Sequence, residues 1–547
     1  MLTFDHQPES GIRRGRLSIP KKDGEDSVQK RVIETPGCLM YSAKGSVPHL
    51  TPDNVRLQDF GGVNVSMEHL LQNHHPAGLK NWDFDLAKFL HLEEFILLCQ
   101  LRDTSTFTKL APTTDRFVTL TTFQGIRQFT LQDYFEVVRA YRPDIVIAFT
   151  DNIAETFRDP STVLPGKKRV QRSVDRSLKW LDQTLRVRAG GEGEQDEAEK
   201  KASKNESRKE QRKKARFQQT AETSEVESGS GSNATTPAST RAATPSDPTT
   251  TTQAKEGAPR SWADVAVFAQ VHGSDLVSER VRSAQETAKR DVDGFVLDVS
   301  GLVESKSMTK NAVLNCIKVS TDHLPTDKPR LVYGIQTPED VLKAITMGAD
   351  LFDTSYPFHL TEDGKASLYY FKQPAIAGST TTTSIGEQRW INLWDDEHGD
   401  KFVPLLDGCE CYACKGGRHT RAYINHLLKT HEMLATVLLM SHNMHQYSKF
   451  FASVRQSIED GTFQKESVLF NERFGVEPER TGEIHAAQAI VEASLTRRAN
   501  RLEGAEEGVV EAIGLGPSPA GTPVPQKRHS EDMTGHADKK PKPEDMA

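Results

Sequence analysis

Short apolar runs alternate with amphipathic segments over much of this 547-residue chain. The runs are about five residues long, as buried strands are, and the segments between them space their apolar residues as helices do. Such alternation predicts parallel strands joined by crossover helices. The clearest runs are YRPDIVIAFTD (141–151), WADVAVFAQVHG (262–273), DGFVLDVSG (293–301), RLVYGI (330–335) and LFDTS (351–355).

At least five such strands in order favour an α/β fold of the (β/α)8 TIM type over an open doubly wound sheet. The chain also has no Gly-rich phosphate-binding motif, which weakens the open-sheet alternative. The helix after RLVYGI has clear boundaries, with Thr337 as N-cap, Pro338 at the first helical position and Gly348 after its last turn.

The residues directly after the strands are the candidate site residues, because the carboxyl ends of barrel strands form the active face. These residues are Thr150, Asp151, His272, Gly273, Ser300, Gly301, Gly334, Asp353 and Thr354.

Two segments have the composition of disordered chain, and the hydrophobic fraction of 36% is low for a compact protein. Residues 188–260 combine a charge run with a Ser/Thr/Pro/Gly tract, and the tail is rich in Pro and charge. A solvated linker is the simpler interpretation of the basic stretch 208–216, and an RNA-touching arm is the alternative. We predict an N-terminal β-rich layer of the barrel domain over 1–110, the first part of the barrel over 111–187, a disordered insertion over 188–260, the second part of the barrel over 261–373, a helical subdomain over 374–500 and a disordered tail over 501–547.

The net charge of −7 and the pI of about 6.2 exclude a bulk positive field, so any contact with RNA has to be a local patch. No run of about 18 apolar residues predicts a membrane span. The N-terminus lacks the apolar core of a secretion signal, and cysteines are few. We therefore expect a reducing compartment, where clustered thiols more often bind metal than form disulfides.

Three of the six cysteines lie within six residues, in the C-x-C-x-x-C motif formed by Cys409, Cys411 and Cys414. Three thiolates in one tight turn can supply three corners of a tetrahedral Zn²⁺ site. A histidine on a helix that packs back over the turn is the best candidate for the fourth ligand. The candidates in the two helical stretches that follow are His419, His426, His431, His442 and His445, of which His419 is too close to the turn. A reduced surface cluster of thiols is the alternative, but exposed adjacent thiols are prone to oxidation.

The motif and the residues after it resemble the zinc site of the tRNA-guanine transglycosylase family. The matching segments are RAYINHLL (421–428), EML (432–434) and LLMSHN (438–443), and the family's histidine falls on His442. The resemblance covers roughly 30–187 and 261–460. It implies a (β/α)8 barrel with a zinc-binding subdomain, one structural Zn²⁺ held by Cys409, Cys411, Cys414 and His442, and exchange of a guanine in tRNA for a deazaguanine base at the wobble position.

The resemblance also identifies where the family's catalytic groups fall. Its nucleophilic Asp matches Asp353 in FDTSYPFH (352–359). Its second carboxylate lies in a D-S-G-G motif, and the corresponding segment is taken to be LTTFQGIRQF (120–129), which has no Asp.

Further differences from the family's motifs concern the base pocket. A base-recognising Asp is replaced by Thr150, with Asp151 one residue further on, where strand alternation points a side chain to the other face. A pocket Gln is replaced by His272, and the segment that should grip phosphate, HLTEDG (359–364), is acidic.

These differences resemble the non-catalytic eukaryotic branch of the family. That resemblance implies a heterodimer with a catalytic subunit, tRNA as the shared substrate, and a cytoplasmic location with peripheral association with the mitochondrial outer membrane. No catalytic residue is then expected, and Asp353 is the candidate nucleophile if the chain is active. In the family the zinc-site helices lie at the dimer contact, which predicts interface residues such as Leu438, Tyr447 and Phe450. The alternative is that they are core residues of the zinc-binding subdomain, and the two interpretations are compatible.

Overall fold

A computed structural model shows how the chain folds. It describes residues 2–7, 11–23, 27–71, 85–103, 105, 113–122, 125–153, 165–191, 262–303, 308–335, 337–372 and 388–474. The predicted disordered insertion and tail therefore lie almost entirely outside the described residues. The described residues belong to one compact unit.

The chain begins with an antiparallel three-stranded sheet of β1 (Thr3–Gln7), β2 (Arg14–Asp23) and β3 (Ser27–Thr35). Leu17, Ile19 and Ile33 of this sheet are buried in one core cluster with residues of the barrel interior. The sheet therefore closes the amino end of the barrel.

A closed barrel of eight parallel strands follows, and its strand order is β10-β11-β12-β13-β4-β5-β6-β9. The strands are β4 (Gly37–Ser42), β5 (Gly62–Ser66), β6 (Ile96–Gln100), β9 (Ile145–Ile147), β10 (Ala266–Gln270), β11 (Gly294–Asp298), β12 (Arg330–Tyr333) and β13 (Leu351–Asp353). A hairpin of β7 (Phe117–Thr122) and β8 (Gly125–Thr130) lies outside the barrel ladder. The predicted (β/α)8 architecture is confirmed.

The interval 1–110, predicted as a β-rich layer of the barrel domain, supplies three barrel strands as well as the closing sheet. The strands β4 and β5 contain Tyr41, Asn64 and Ser66 between or after their apolar residues. These polar residues hide the continuous apolar run that identifies the later strands.

The α-helices surround the barrel and continue to the C-terminal end of the described residues. They are α1 (Pro52–Arg56), α2 (Met67–Leu70), α3 (Leu86–Phe89), α4 (Leu131–Tyr141), α5 (Lys167–Arg188), α6 (Val277–Ala288), α7 (Ser300–Val303), α8 (Lys310–Thr321), α9 (Pro338–Thr346), α10 (Ser355–Glu362), α11 (Arg421–Lys429), α12 (Met433–Glu459) and α13 (Phe463–Phe474). The predicted boundaries of α9 are confirmed: the Thr337 side chain accepts a hydrogen bond from the Asp340 N–H, Pro338 is the first residue, and Gly348 has a φ of 92°. Among the described residues, no helix is long and apolar enough to cross a membrane.

The long helix α12 connects two cores. Its first half packs with β14 (Lys365–Ser367), β15 (Trp390–Asn392) and α11 around the three clustered cysteines. Its second half joins the main core of the barrel through Tyr447, Phe450 and Phe451. Leu438, Tyr447 and Phe450 are at most 1% exposed. Packing inside the same chain therefore leaves them almost no surface for a partner, contrary to the interface prediction. The core alternative holds for Leu438, which lies in the core around the cysteines, whereas Tyr447 and Phe450 belong to the main core.

Candidate metal centre and barrel mouth

The three cysteines and His442 meet in one buried group. Cys409, Cys411 and Cys414 lie in the turn before α11, and His442 projects from α12. The four ligand atoms lie within 4.8 Å of one another, and no side chain in the group is more than 8% exposed. The distances from His442 Nδ1 to the three Sγ atoms are 3.7, 3.5 and 3.5 Å.

The orientation of these ligands is fixed by their neighbours. His442 Nε2 lies 2.8 Å from the Ser367 carbonyl oxygen, so a ring that donates there directs Nδ1 at the sulfurs. The adjacent Asn443 accepts from the Ser367 N–H at 2.9 Å and donates to the Lys365 carbonyl at 2.9 Å, which ties α12 to β14. The Cys414 N–H donates to Cys411 Sγ at 3.3 Å, as expected for a knuckle that presents thiolates.

The donor set fits a tetrahedral metal ion. Metal–sulfur bonds of about 2.3 Å and metal–nitrogen bonds of about 2.0 Å at tetrahedral angles separate N from S by roughly 3.5 Å. The observed separations agree with this value. The hydrogen bonds that the three thiols share lower the pKa of Cys409 and raise the pKa of Cys411. Four protein ligands leave no coordination position for a substrate.

A second polar group lies at the carboxyl end of the barrel. Asp298 and Asp353 are the last residues of β11 and β13, Asp103 lies three residues after β6, and each is at most 8% exposed. In each case the serine two residues later donates its N–H to the carboxylate, at 2.8, 2.9 and 3.0 Å respectively. The same serine hydroxyls donate to the same carboxylate oxygens. Three D-x-S turns thus hold three carboxylates at the barrel mouth.

Asp353 is placed as the sequence predicts, at the end of β13. Asp298 is paired in register with Tyr333 on the next strand, and Asp353 lies two residues beyond the paired Leu331 and Leu351. Burial raises the pKa of Asp353 to about 6, and the charges of Asp103 and Asp298 add to the rise while Ser355 opposes it. Asp353 is therefore a carboxyl that titrates near neutral pH.

That the family's second carboxylate is absent from this chain stays a prediction, but the segment assigned to it does not follow a barrel strand. Residues 120–129 belong to the β7–β8 hairpin, whereas Asp103 follows β6, the third barrel strand along the chain. Asp103 Oδ2 accepts from the Tyr41 hydroxyl at 2.8 Å and lies 3.5 Å from His69 Nε2. The repeated Asp-x-Ser pattern after strands was the signal that could have found it.

The other predicted face residues divide into two groups. Asp151 turns away from the mouth, as strand alternation predicts, and its buried carboxylate pairs with Arg169 at 2.7 Å and with Arg176. Thr150 hydrogen-bonds His272, and burial lowers the pKa of that imidazole to about 4. The remaining residues lie at the carboxyl ends of β10, β11, β12 and β13: Gly273, Ser300, Gly301, Gly334 and Thr354.

A closed (β/α)8 barrel with a C-terminal Cys3His group defines the class of the protein. Comparison with known proteins places it more closely. The family model for queuine tRNA-ribosyltransferase matches residues 9–208 and 232–474. The chain therefore belongs to the queuine tRNA-ribosyltransferase family, and the resemblance to tRNA-guanine transglycosylases is confirmed.

Three of the similar proteins share one name. The queuine tRNA-ribosyltransferase accessory subunit 2 of Danio rerio is 30% identical over 84% of this chain and 96% of the relative. The protein of the same name from Homo sapiens is 29% identical over 82% of this chain and 94% of the relative. The one from Trichoplax adhaerens is 27% identical over 81% and 93%.

Proposed function

We propose that this chain is the non-catalytic subunit of a queuine tRNA-ribosyltransferase heterodimer. In this role it supports exchange of guanine for queuine at the wobble position of tRNAs with GUN anticodons. The observation that carries the proposal is the similarity, over more than four-fifths of the chain, to proteins named queuine tRNA-ribosyltransferase accessory subunit 2. We also propose that the protein is located in the cytoplasm and associates peripherally with the mitochondrial outer membrane.

The chemistry of the mouth supports this role. Base exchange needs a carboxylate nucleophile, a second acid or base, and a polar pocket for the incoming base. Here the position of the base-recognising carboxylate is taken by Thr150, which is bonded to a buried His272. The nearest carboxylate along that strand, Asp151, is neutralised by two arginines on the outer side.

A catalytically active transglycosylase that uses Asp353 as nucleophile is the second candidate. The observation that favours it is the pair Asp103 and Asp353, which brings two carboxylates to the same mouth. Both are buried and held by serines, so activity would require them to become accessible to a ribose.

Base exchange on tRNA separates the two candidates. Exchange is measured with this chain alone, with a catalytic subunit alone and with both together. We expect no exchange by this chain alone and full activity only with both. Multiple turnovers by this chain in isolation would establish the second candidate instead.

The surface that we propose for the catalytic subunit surrounds α11. Seven large apolar side chains there are 38–85% exposed. Single exposed apolar residues are normal, but a group of them indicates an interaction surface. Tyr412, His419 and Tyr423 form a run of neighbouring rings with centroid distances of 6.1 and 5.7 Å. The seven residues are Trp394, Phe402, Val403, Tyr412, Tyr423, Met433 and Leu434.

Substitutions test this surface without touching the core. Tyr423→Ala and Met433→Ser should each weaken heterodimer formation about tenfold, because aromatic and large apolar anchors dominate interfaces. Leu469→Ser is the matched control, since Leu469 is 49% exposed on α13. Equal dissociation constants for all three variants and the unchanged chain would show that the interface lies elsewhere.

We also propose that the Cys3His group holds one structural Zn²⁺ per chain. Cys411→Ser should abolish tight zinc binding and destabilise the chain by several kcal/mol, because binding of a structural metal contributes folding free energy. Metal content and the free energy of unfolding are the measurements. Cys316→Ser, at a buried cysteine outside the group, should keep one zinc per chain. Full zinc occupancy in a Cys411→Ser, His442→Ala double variant would refute the assignment.

A further inference from the structure

A buried glutamine contacts the metal centre without belonging to its ligand set. Gln446 lies one helical turn beyond His442 on α12 and is 1% exposed. Its Nε2 donates to Cys409 Sγ at 3.1 Å. The contact joins a side-chain amide to one of the three sulfurs inside the core around the cysteines.

The other half of this amide is unpaired. Gln446 Oε1 is buried and has no hydrogen-bond partner among the described residues. An unpaired buried polar atom lowers stability, because it loses its hydrogen bonds to water. A strong hydrogen bond at the Nε2 end offsets this cost, and bonds to an ionised acceptor are roughly twice as strong as neutral ones. The arrangement is therefore suited to a thiolate at Cys409 rather than to a neutral thiol.

The charge of a filled site gives this donor a role. Three thiolates and one neutral imidazole around Zn²⁺ leave one net negative charge, in a group that is nearly excluded from water. Hydrogen bonds from amide N–H groups to the sulfur atoms distribute that negative charge over more atoms. The Cys414 N–H does so for Cys411 at 3.3 Å, and Gln446 does so for Cys409.

We propose that Gln446 is a positioning residue of the metal centre, whose amide orients the Cys409 thiolate and offsets the net negative charge of the Cys3His–zinc group. The proposal rests on the zinc assignment above. It predicts a contribution to metal affinity and to the electronic structure of the metal–sulfur bonds, with no contact to substrate.

Gln446→Met tests the role, because methionine keeps the length of the side chain and removes the donor. Zinc affinity of the full-length chain is measured by competition with a chelator, and the centre is also loaded with Co²⁺ to record its thiolate-to-metal absorption bands. We expect affinity to fall about tenfold, within the range for lost hydrogen bonds to metal ligands, with shifted Co²⁺ bands. Gln446→Glu places an anionic acceptor beside the thiolate and should lower affinity further.

Gln456→Met is the matched control, since Gln456 lies on the same helix, is exposed and bonds Asp460 at 2.9 Å. It should match the unchanged chain in both measurements. Gln446→Met affinity within twofold of the unchanged chain, with identical Co²⁺ bands, overturns the proposal. If the unchanged chain itself binds no zinc, the zinc assignment fails, which is a separate result.

A measurement on the unchanged chain covers the case in which the variants do not fold. In protein labelled with ¹⁵N-glutamine, one side-chain amide should move downfield when the centre is loaded with metal, because N–H groups bonded to thiolate are strongly polarised. The absence of any metal-dependent glutamine amide overturns the proposal.

Discussion

The two ends of the barrel use aspartates in opposite ways. At the amino end, Asp144 and Asp350 precede strands, accept from the N–H of the neighbouring strand, and pair with Arg31 and Arg13. At the carboxyl end, Asp103 lies beyond β6, whereas Asp298 and Asp353 are the last residues of β11 and β13, and all three are held by serines. All five carboxylates are at most 8% exposed, but their neighbours differ. Asp144 and Asp350 each pair with an arginine, Asp103 lies 3.5 Å from His69 Nε2, and Asp353 is held by Ser355.

The countercharge changes what burial does to the carboxyl group. Burial raises the pKa of Asp350, but the Arg13 guanidinium opposes the rise. At Asp353 burial also raises the pKa, and here the nearby charges of Asp103 and Asp298 add to it. At the amino end an arginine therefore opposes the effect of burial, whereas at the carboxyl end Asp353 is a carboxyl group whose ionisation costs stability. Uncompensated charge of this kind is typical of ligand-binding ends of enzyme folds.

Removing a countercharge at the amino end should have the largest effect. Arg31 donates two hydrogen bonds to Asp144, at 2.6 and 2.5 Å, inside a buried pair. Arg31→Met leaves Asp144 buried without a partner charge, which typically costs about 3–5 kcal/mol. The measurement is the free energy of unfolding in denaturant at pH 7.

Arg16→Met is the control for this prediction. Arg16 lies in the same closing sheet and pairs with Glu34 at 2.6 Å, but its side chain is 59% exposed. Exposed pairs contribute at most about 1 kcal/mol. Similar losses for the two variants would show that the amino end is not organised around its buried pairs.

A neutral side chain at the carboxyl end should stabilise the protein. The pKa of Asp353 is about 6 in the folded chain and about 3.9 in an unfolded one. Its contribution to stability is therefore full below pH 4 and is lost as the pH rises through 6. Asp353→Asn should be more stable than the unchanged chain at pH 8, by at most roughly 3 kcal/mol. Thermal unfolding at pH 4 and pH 8 measures the difference, which should nearly vanish at pH 4.

The opposite sign would break the comparison of the two ends. If Asp353→Asn is less stable at pH 8, the carboxylate has a cationic partner that compensates its charge. Asp144→Asn serves as the reference at the amino end, where the same substitution weakens a pair with Arg31 and should destabilise the chain.

The parts of this fold that sequence predicts are those with a local pattern. The strands β10 to β13 are continuous apolar runs, and α9 has a capping Thr, a first-turn Pro and a terminal Gly. Three of the four residues of the Cys3His group are also close together in the sequence, and the fourth is identified through the family's motif. Close spacing in the chain makes such features visible without a structure.

The mouth could not be predicted to the same extent, because its members come from distant strands. Asp103 was missed since the hairpin β7–β8 was taken for the segment that follows a barrel strand. The polar residues of β4 and β5 obscured the first strands, because barrel interiors tolerate polar side chains near a mouth. Which carboxylates have arginine partners depends on packing between strands and the closing sheet, and the sequence has no short-range sign of it.

The smallest expected effect is that of Asp353→Asn on the base-exchange rate of the mixed complex. If the catalytic subunit supplies the nucleophile, the rate should stay within about twofold, whereas loss of a working nucleophile costs on the order of a thousandfold or more. The variant is expected to be more stable at pH 8, so a collapse of the rate at that pH would not come from unfolding. Formation of the heterodimer, measured in the same samples, separates a lost partner from lost chemistry. A collapse with the dimer intact would assign the chemistry to this chain and overturn its non-catalytic role. An unchanged rate would show that Asp353 is a buried carboxyl group held by Ser355 and does not take part in the reaction. Ionisation of Asp353 would then only destabilise the carboxyl end of the barrel.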